Sequence, residues 1–322
     1  MTAPLKSRRL AKILGVVLML ASLGFIGVLV WSNRDAVLDF RPSLGGVMLL
    51  VAGAVIYGTA GILLAVAWRI LLRWSGEDEV CWHESRRIYA RTQIAKYIPG
   101  NVMQLVGRHV VGRQAGWSHV GLVLSSVIEM LLLLAVASVV AIVGMALTGI
   151  EVGLVKAPVL LALIAGLLAG AYFAMRLMPR LLVKKWPEVS DRLNSRKLTG
   201  LWLIGLLYLA FFIVGGLVLL IVCDVVLEAP VDLGYWPAIF SLFAVGWTAG
   251  VITPGAPSGL GIREAVLVVG LSPIASPADA VLIAALLRLL TVSGDVLFFT
   301  VCAPRLRGSS KQSKRGGFER QL

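Results

Sequence analysis

Apolar runs long enough to cross a bilayer recur along the chain, at 12–31, 44–72, 119–148, 157–178, 199–227, 235–252, 256–275 and 278–303. About 20 consecutive apolar residues make one helical crossing of the hydrocarbon core. Inside it no water meets the backbone N–H and C=O groups, so each run must satisfy them internally, as a helix does. The expected fold is therefore all-α: a polytopic membrane protein with about eight transmembrane helices plus one or two re-entrant or broken helices. Composition agrees, since 58% of the 322 residues are hydrophobic and only 15% charged, against about 25% charged in soluble domains. The run at 256–275 is the weakest, being bracketed by Pro254, Pro257 and Pro273. Region 84–113 is too charged to span, yet it carries an apolar stripe of Ile94, Ile98, Val102, Leu105 and Val106. It lies in the interface or dips into the protein as a re-entrant hairpin.

The net charge of +13 would suit nucleic acid in a soluble chain, but no basic region carries a reading motif. In a membrane protein such charge reports orientation and contact with anionic headgroups. Lys6, Arg8, Arg9 and Lys12 precede the first run, and Arg73, Arg86, Arg87, Arg91, Lys96, Arg108 and Arg113 follow the second. Arg180, Lys184, Lys185, Arg192, Arg196 and Lys197 follow the fourth, and Arg305, Arg307, Lys311, Lys314, Arg315 and Arg320 fill the tail. Segments of the other parity hold Arg34, Asp35, Asp39, Arg41, Glu151, Lys156, Asp224, Glu228 and Asp232. The asymmetry places both termini in the cytoplasm and makes the number of crossings even. The division is a membrane domain over 1–304 and a basic, compositionally disordered cytoplasmic tail over 305–322. The first run lacks a small-residue cleavage site and reads as a retained span. Cys81, Cys223 and Cys302 are scattered, and His83, His109 and His119 form no ligand cluster, so neither a metal nor a disulfide framework is expected.

Two segments repeat one another. Pro99-Gly100 is followed by Arg108, and Pro254-Gly255 by Arg263, with seven residues between Gly and Arg in each. Proline removes a backbone donor and glycine relaxes the dihedral limits, so each pair breaks a helix and frees polar backbone groups. Paired broken segments point to a transporter's binding site. Because four of the runs separate the motifs, both would start from the cytoplasmic side, which fits a parallel repeat. A re-entrant 256–275 segment would invert the relation.

Charges inside apolar runs add to this. Glu129 lies ten residues into the third run, Arg288 and Asp295 share a face of the last, and Arg263-Glu264 follow the second break. A charge at the bilayer centre costs on the order of 3 kcal/mol on insertion scales, so these groups must be paired or hydrated. Arg288 and Asp295 either neutralise each other or face a site. Gly255, Gly259 and Gly261 allow close backbone approach, and amides at a half-helix N-terminus favour an anion. Arg263 offers a planar fork for two phosphate oxygens, and Lys96, Asn101, Gln104 and Arg108 stand in a similar setting at the first break. Gly166-x-x-x-Gly170 and Gly246-x-x-x-Gly250 serve tight helix packing. Asp224 and Glu228, one turn apart, are the weak offer of a carboxylate pair for an extracytoplasmic enzyme.

Lys96-Tyr97-Ile98-Pro99-Gly100-Asn101-Val102 with Gly107-Arg108 resembles the first signature of the lysylphosphatidylglycerol synthase transmembrane-region, or flippase-like, family. Thr253-Pro254-Gly255-Ala256-Pro257-Ser258-Gly259-Leu260-Gly261-Ile262-Arg263-Glu264-Ala265 resembles its second. Ser258 stands where that family has Gly, and Met103 where an aromatic residue is common. The resemblance implies a multi-spanning protein of the bacterial inner membrane that moves lipid between leaflets. About twenty residues follow the last run, too few for an aminoacyl-transferase domain, so synthase activity is not expected.

The resulting expectation is a lipid translocase acting on a phosphate-bearing phospholipid, glycolipid or polyprenyl-linked lipid. Arg108, Arg263, Glu264, Glu129, Arg288, Asp295, Lys96 and Asn101 would bind substrate, and Pro99, Gly100, Pro254, Gly255, Gly259 and Gly261 would line the site. No cofactor, metal or catalytic residue is expected. Partners are the membrane lipid and a glycosyltransferase or other lipid-modifying enzyme, with room for a homo-oligomer. The alternatives are a membrane enzyme or an accessory scaffold in lipid-linked glycan or aminoacyl-lipid synthesis.

Overall fold

A computed structural model describes residues 27–28, 31–32, 34–98, 102–148, 199–253 and 257–303. Most of the run at 12–31, the whole of 157–178, the basic loop 176–197 and the tail fall outside them, as do Pro99, Gly100, Asn101, Pro254 and Gly255. Among the described residues every regular element is helical. The longer ones are α1 (Arg34–Asp39), α2 (Leu44–Trp74), α3 (Trp82–Gln93), α4 (Met103–Gln114), α5 (His119–Thr148), α6 (Thr199–Leu227), α7 (Trp236–Ile252), α8 (Ile262–Gly270) and α9 (Pro277–Cys302). Short 3-10 turns at Ile94–Tyr97, Leu233–Tyr235 and Pro257–Gly259 join or precede some of them.

Five stretches are long and apolar enough to cross a membrane: Leu44–Trp74, His119–Thr148, Gly200–Leu227, Leu233–Ile252 and Pro277–Cys302. The expected count of about eight is not reached among the described residues. The 256–275 run is not a crossing at all. Its helix, α8, has nine residues, about 14 Å of length at 1.5 Å per residue, and prolines on both sides stop it growing. The other boundaries follow local chemistry. Ser43 caps α2 by accepting from the Gly46 amide at 3.1 Å, and Ser276 caps α9 at the Asp279 amide with Pro277 in its first turn.

Close contacts set the helix directions. Gly46 lies against Val225 and Gly53 against Val218, so α2 and α6 are antiparallel. Gly53 lies near Leu290, Gly58 against Gly294 and Gly61 against Phe298, so α2 and α9 are parallel. Ser241 donates to the Ala141 carbonyl at 2.7 Å and Gly144 abuts Pro237, which makes α5 and α7 antiparallel. One end of the bundle gathers Trp74, His119 and Cys302 with Arg73, Arg86, Arg87 and Arg113. The other gathers Leu44, Thr148, Leu227 and Trp236, with Asp39, Asp224, Glu228 and Asp232.

Between the long helices sit two hairpins that enter from opposite ends. The first, α3 and α4 with the Ile94–Tyr97 turn, comes from the basic end. Tyr89 packs on Trp68 at 5.7 Å and on Phe298 at 6.4 Å between ring centroids. The second, α7 and α8 with the Pro257–Gly259 turn, comes from the other end and folds back on itself. Gly270 abuts Leu242, and Gly246 faces the Arg263 carbonyl. The two 3-10 turns pack against each other. The described residues of 84–113 thus form a hairpin that turns back within the bundle, and those flanking 254–256 form another.

Of the two relations that the sequence leaves open, parallel and inverted, the directions of the described helices fit the inverted one. Arg108 and Arg263 stand 155 positions apart (108 to 263), and the same offset carries α2 (from 44) onto α6 (from 199). It also superposes α3, α4 and α5 on α7, α8 and α9 to within a few residues. Each half is therefore a long helix, a hairpin and a long helix, and corresponding helices run in opposite directions. The parity changed because α8 turns back instead of crossing.

Two close approaches make the arrangement possible. A Cβ on Gly294 would lie 2.8 Å from the Ala54 carbonyl oxygen and 2.9 Å from the Gly58 nitrogen, so α9 reaches α2 only without a side chain there. In the second hairpin Ser258, Gly259 and Gly261 have φ of 52°, 70° and 85°. A Cβ on Gly259 would sit 2.5 Å from Gly250 Cα. Gly259, expected to admit a ligand, thus admits the hairpin's own first arm, where Gly250 has the packing role expected of it. Gly294→Ala should lower the thermal stability of the purified protein by about 1–3 kcal/mol through overpacking. Gly45→Ala, whose Cβ would find only Ser43 Oγ at 3.8 Å, should leave the melting temperature within a degree or two.

Candidate functional site

The hairpin turns meet half-way along α2 and α9, and the ionisable residues singled out in the sequence collect there. The first hairpin supplies Lys96 and Arg108, α5 supplies Glu129, the second hairpin Arg263 and Glu264, and α9 Arg288 and Asp295. Four cations thus face three carboxylates. Of the expected site residues, Pro99, Gly100, Asn101, Pro254 and Gly255 lie outside the described residues.

Arg108 and Glu129 form a buried ion pair, each only 2% exposed. Glu129 Oε2 takes Arg108 Nη1, and its Oε1 accepts from the Tyr89 hydroxyl at 2.8 Å. Arg108 Nη2 donates to Gln93 Oε1 at 2.8 Å. The guanidinium also lies 3.7 Å from the centroid of the Tyr89 ring and 5.5 Å from that of Trp68. This arrangement fastens the outgoing arm of the first hairpin to α5 and leaves neither charge free.

A second group closes the tip of that hairpin on α9. Lys96 Nζ lies 2.6 Å from Asp295 Oδ2, and the Tyr97 hydroxyl donates to the same oxygen at 2.5 Å. Arg288 and Asp295 therefore do not neutralise each other, although they share a face. Arg288 instead donates from Nη1 to the Ser258 carbonyl at 3.1 Å and has Glu264 Oε1 3.6 Å from its Nε. Glu264 Oε2 accepts from the Gly261 amide at 2.6 Å, so a donor at the start of α8 expected to bind an anion is capped by that helix's own acid.

What remains unspent is positive. Arg263 Nε and Arg288 Nη2 are buried and have no hydrogen-bond partner. Buried donors without partners cost about 1–3 kcal/mol each, more when charged, so both call for a ligand or bound water. Both residues line a cavity of about 30 Å³ with Trp247, Glu264 and Leu287. Arg263 also borders a neighbouring cavity of about 70 Å³ that reaches Tyr57, Lys96, Gln104 and Arg108. At about 10–15 Å³ per water, the larger space suits several waters or one small oxyanion.

Sequence reasoning missed Tyr57, Tyr89, Gln93, Tyr97 and Trp247. Only Tyr97, beside Lys96 in the first motif, carried a signal. It missed also that His109 Nε2 and His119 Nδ1 meet at 2.9 Å at the mouth of the first hairpin. Burial, His119 and Arg113 hold His109 below the ordinary imidazole range. The described residues contain no group of three or more metal-ligating side chains. Asp224 accepts from the Val231 amide at 2.8 Å. No family model matches the chain, and no curated protein does either.

Removing the Glu129 charge should expose the cost of a buried, unpaired arginine. Glu129→Gln should destabilise the purified protein by about 3–5 kcal/mol, while Tyr89→Phe should cost only about 1 kcal/mol. Equal losses in thermal or denaturant unfolding would contradict the pairing.

Proposed function

We propose that the chain is a lipid translocase of the bacterial inner membrane, with the cavity between the hairpin turns as its headgroup site. The observation that carries this reading is the pair of buried, unpartnered arginine donors, Arg263 Nε and Arg288 Nη2. Both residues line a small cavity between the second hairpin and α9, and Arg263 also lines the neighbouring space where the two hairpins meet. Arginine forks suit phosphate oxygens, and inverted halves around a central site suit alternating access. The motif resemblance to the flippase-like family supports the same assignment.

In this reading the basic end faces the cytoplasm. Among the described helices α2, α5, α6 and α9 cross in this reading, and the charge asymmetry of the sequence puts both termini on the cytoplasmic side. The headgroup phosphate meets Arg263 and Arg288 while the acyl or prenyl tail stays in lipid. Lys96 and Asp295, which join the first hairpin to α9, exchange partners as access alternates. Arg108 and Glu129 position the first hairpin and do not themselves hold substrate.

Arg263→Ala should abolish leaflet transfer of a fluorescent phospholipid in reconstituted liposomes while the protein remains monodisperse and folded. Transfer at the wild-type rate would reject Arg263 as the headgroup ligand.

A further inference from the structure

Which headgroups the site accepts follows from which of its charges are already engaged. Every carboxylate at the hairpin junction has a partner. Both oxygens of Glu129 are taken, by Tyr89 and Arg108. Asp295 holds Lys96 and Tyr97 on one oxygen. Glu264 caps the Gly261 amide with one oxygen and turns the other toward Arg288. The guanidinium nitrogens left without partners there are Arg263 Nε, Arg288 Nη2 and Arg108 Nε, and of these three arginines only Arg263 faces no carboxylate in an ion pair among the described residues.

We infer that the site selects lipids whose headgroup carries a phosphate anion and no amine, and discriminates against aminoacylated and ethanolamine lipids. The inference rests on the proposed headgroup site and names its substrate class. A phosphate supplies acceptors to the two arginines and balances the excess cation. An ammonium on the same headgroup, held in the cavity of about 30 Å³ that both arginines line, would stand beside them, and the one carboxylate there, Glu264, already caps Gly261 and faces Arg288. Like charges brought together in a desolvated site oppose binding strongly. Glu129 cannot serve it without leaving Arg108 unpaired, and Asp295 cannot without releasing the first hairpin.

The test uses the purified full chain in neutral detergent and follows its thermal unfolding. It is titrated with short-chain phosphatidylglycerol, with lysyl-phosphatidylglycerol and phosphatidylethanolamine of the same acyl length, and with inorganic phosphate. Phosphatidylglycerol should bind at least about tenfold more tightly than either amine lipid. The preference should fall toward unity in Arg263→Gln/Arg288→Gln, though the wild-type ratio alone decides if that variant does not fold. Equal or tighter binding of lysyl-phosphatidylglycerol or phosphatidylethanolamine would overturn the inference, as would binding of none of the lipids. Protection by inorganic phosphate as strong as that by phosphatidylglycerol would assign the site to a soluble anion and overturn the lipid class. Leaflet transfer is measured separately. Selectivity without transfer rejects the translocase and retains the selectivity, whereas transfer without selectivity does the reverse.

Discussion

A chain that turns back inside an apolar bundle must find partners there for its polar groups, and the attachment of both hairpin turns to α9 meets that demand. Asp295 takes the Lys96 ammonium and the Tyr97 hydroxyl from the first turn. Arg288, seven residues earlier on the same face, donates to the Ser258 carbonyl of the second. α9 is thus the post on which both hairpins hang. It can serve so only because Gly294 and Gly58 let it lie against α2. Without those two anchor points neither turn would have a reason to stop half-way along the bundle.

The two halves share a backbone plan but divide the chemistry unequally. In the first, Arg108 is neutralised by Glu129 and donates to Gln93, while Tyr89 donates to Glu129 and only Arg108 Nε lacks a partner. In the second, the repeat partner of Glu129 is Ala284, at the same 155-residue offset (129 to 284). No carboxylate meets Arg263 from that position. A buried ion pair fixes geometry at a cost in desolvation, while an unpartnered buried arginine stores a demand for an anion. One repeat therefore positions, and the other is left able to bind.

Much of this was legible in the sequence, and the rest for physical reasons was not. The apolar runs located α2, α5, α6, α7 and α9 because burial in a bundle demands long uncharged helices. Glu129, Arg263, Glu264, Arg288 and Asp295 stood out because a charge in such a run is expensive, and Arg108 because its spacing from Pro99-Gly100 matches that of Arg263 from Pro254-Gly255. Their pairing was hidden, since it depends on contacts between residues far apart in the chain: Lys96 reaches Asp295 across 199 positions (96 to 295). The inverted relation was hidden too, because α8 is apolar enough to imitate a crossing and only its length and its return along α7 reveal the turn. Tyr89 and Trp247 look like ordinary core aromatics until their neighbours are known.

The central claim is that the hairpins enter from opposite faces of the membrane to build one cavity. It is tested most directly by labelling single cysteines with a membrane-impermeant maleimide in oriented vesicles, with exposed Cys81 replaced by Ser. Gln114→Cys marks the mouth of the first hairpin and Ser272→Cys that of the second, both at exposed positions. The account predicts that Gln114→Cys labels only from the cytoplasmic side and Ser272→Cys only from the other. Labelling of both from the same side would contradict it.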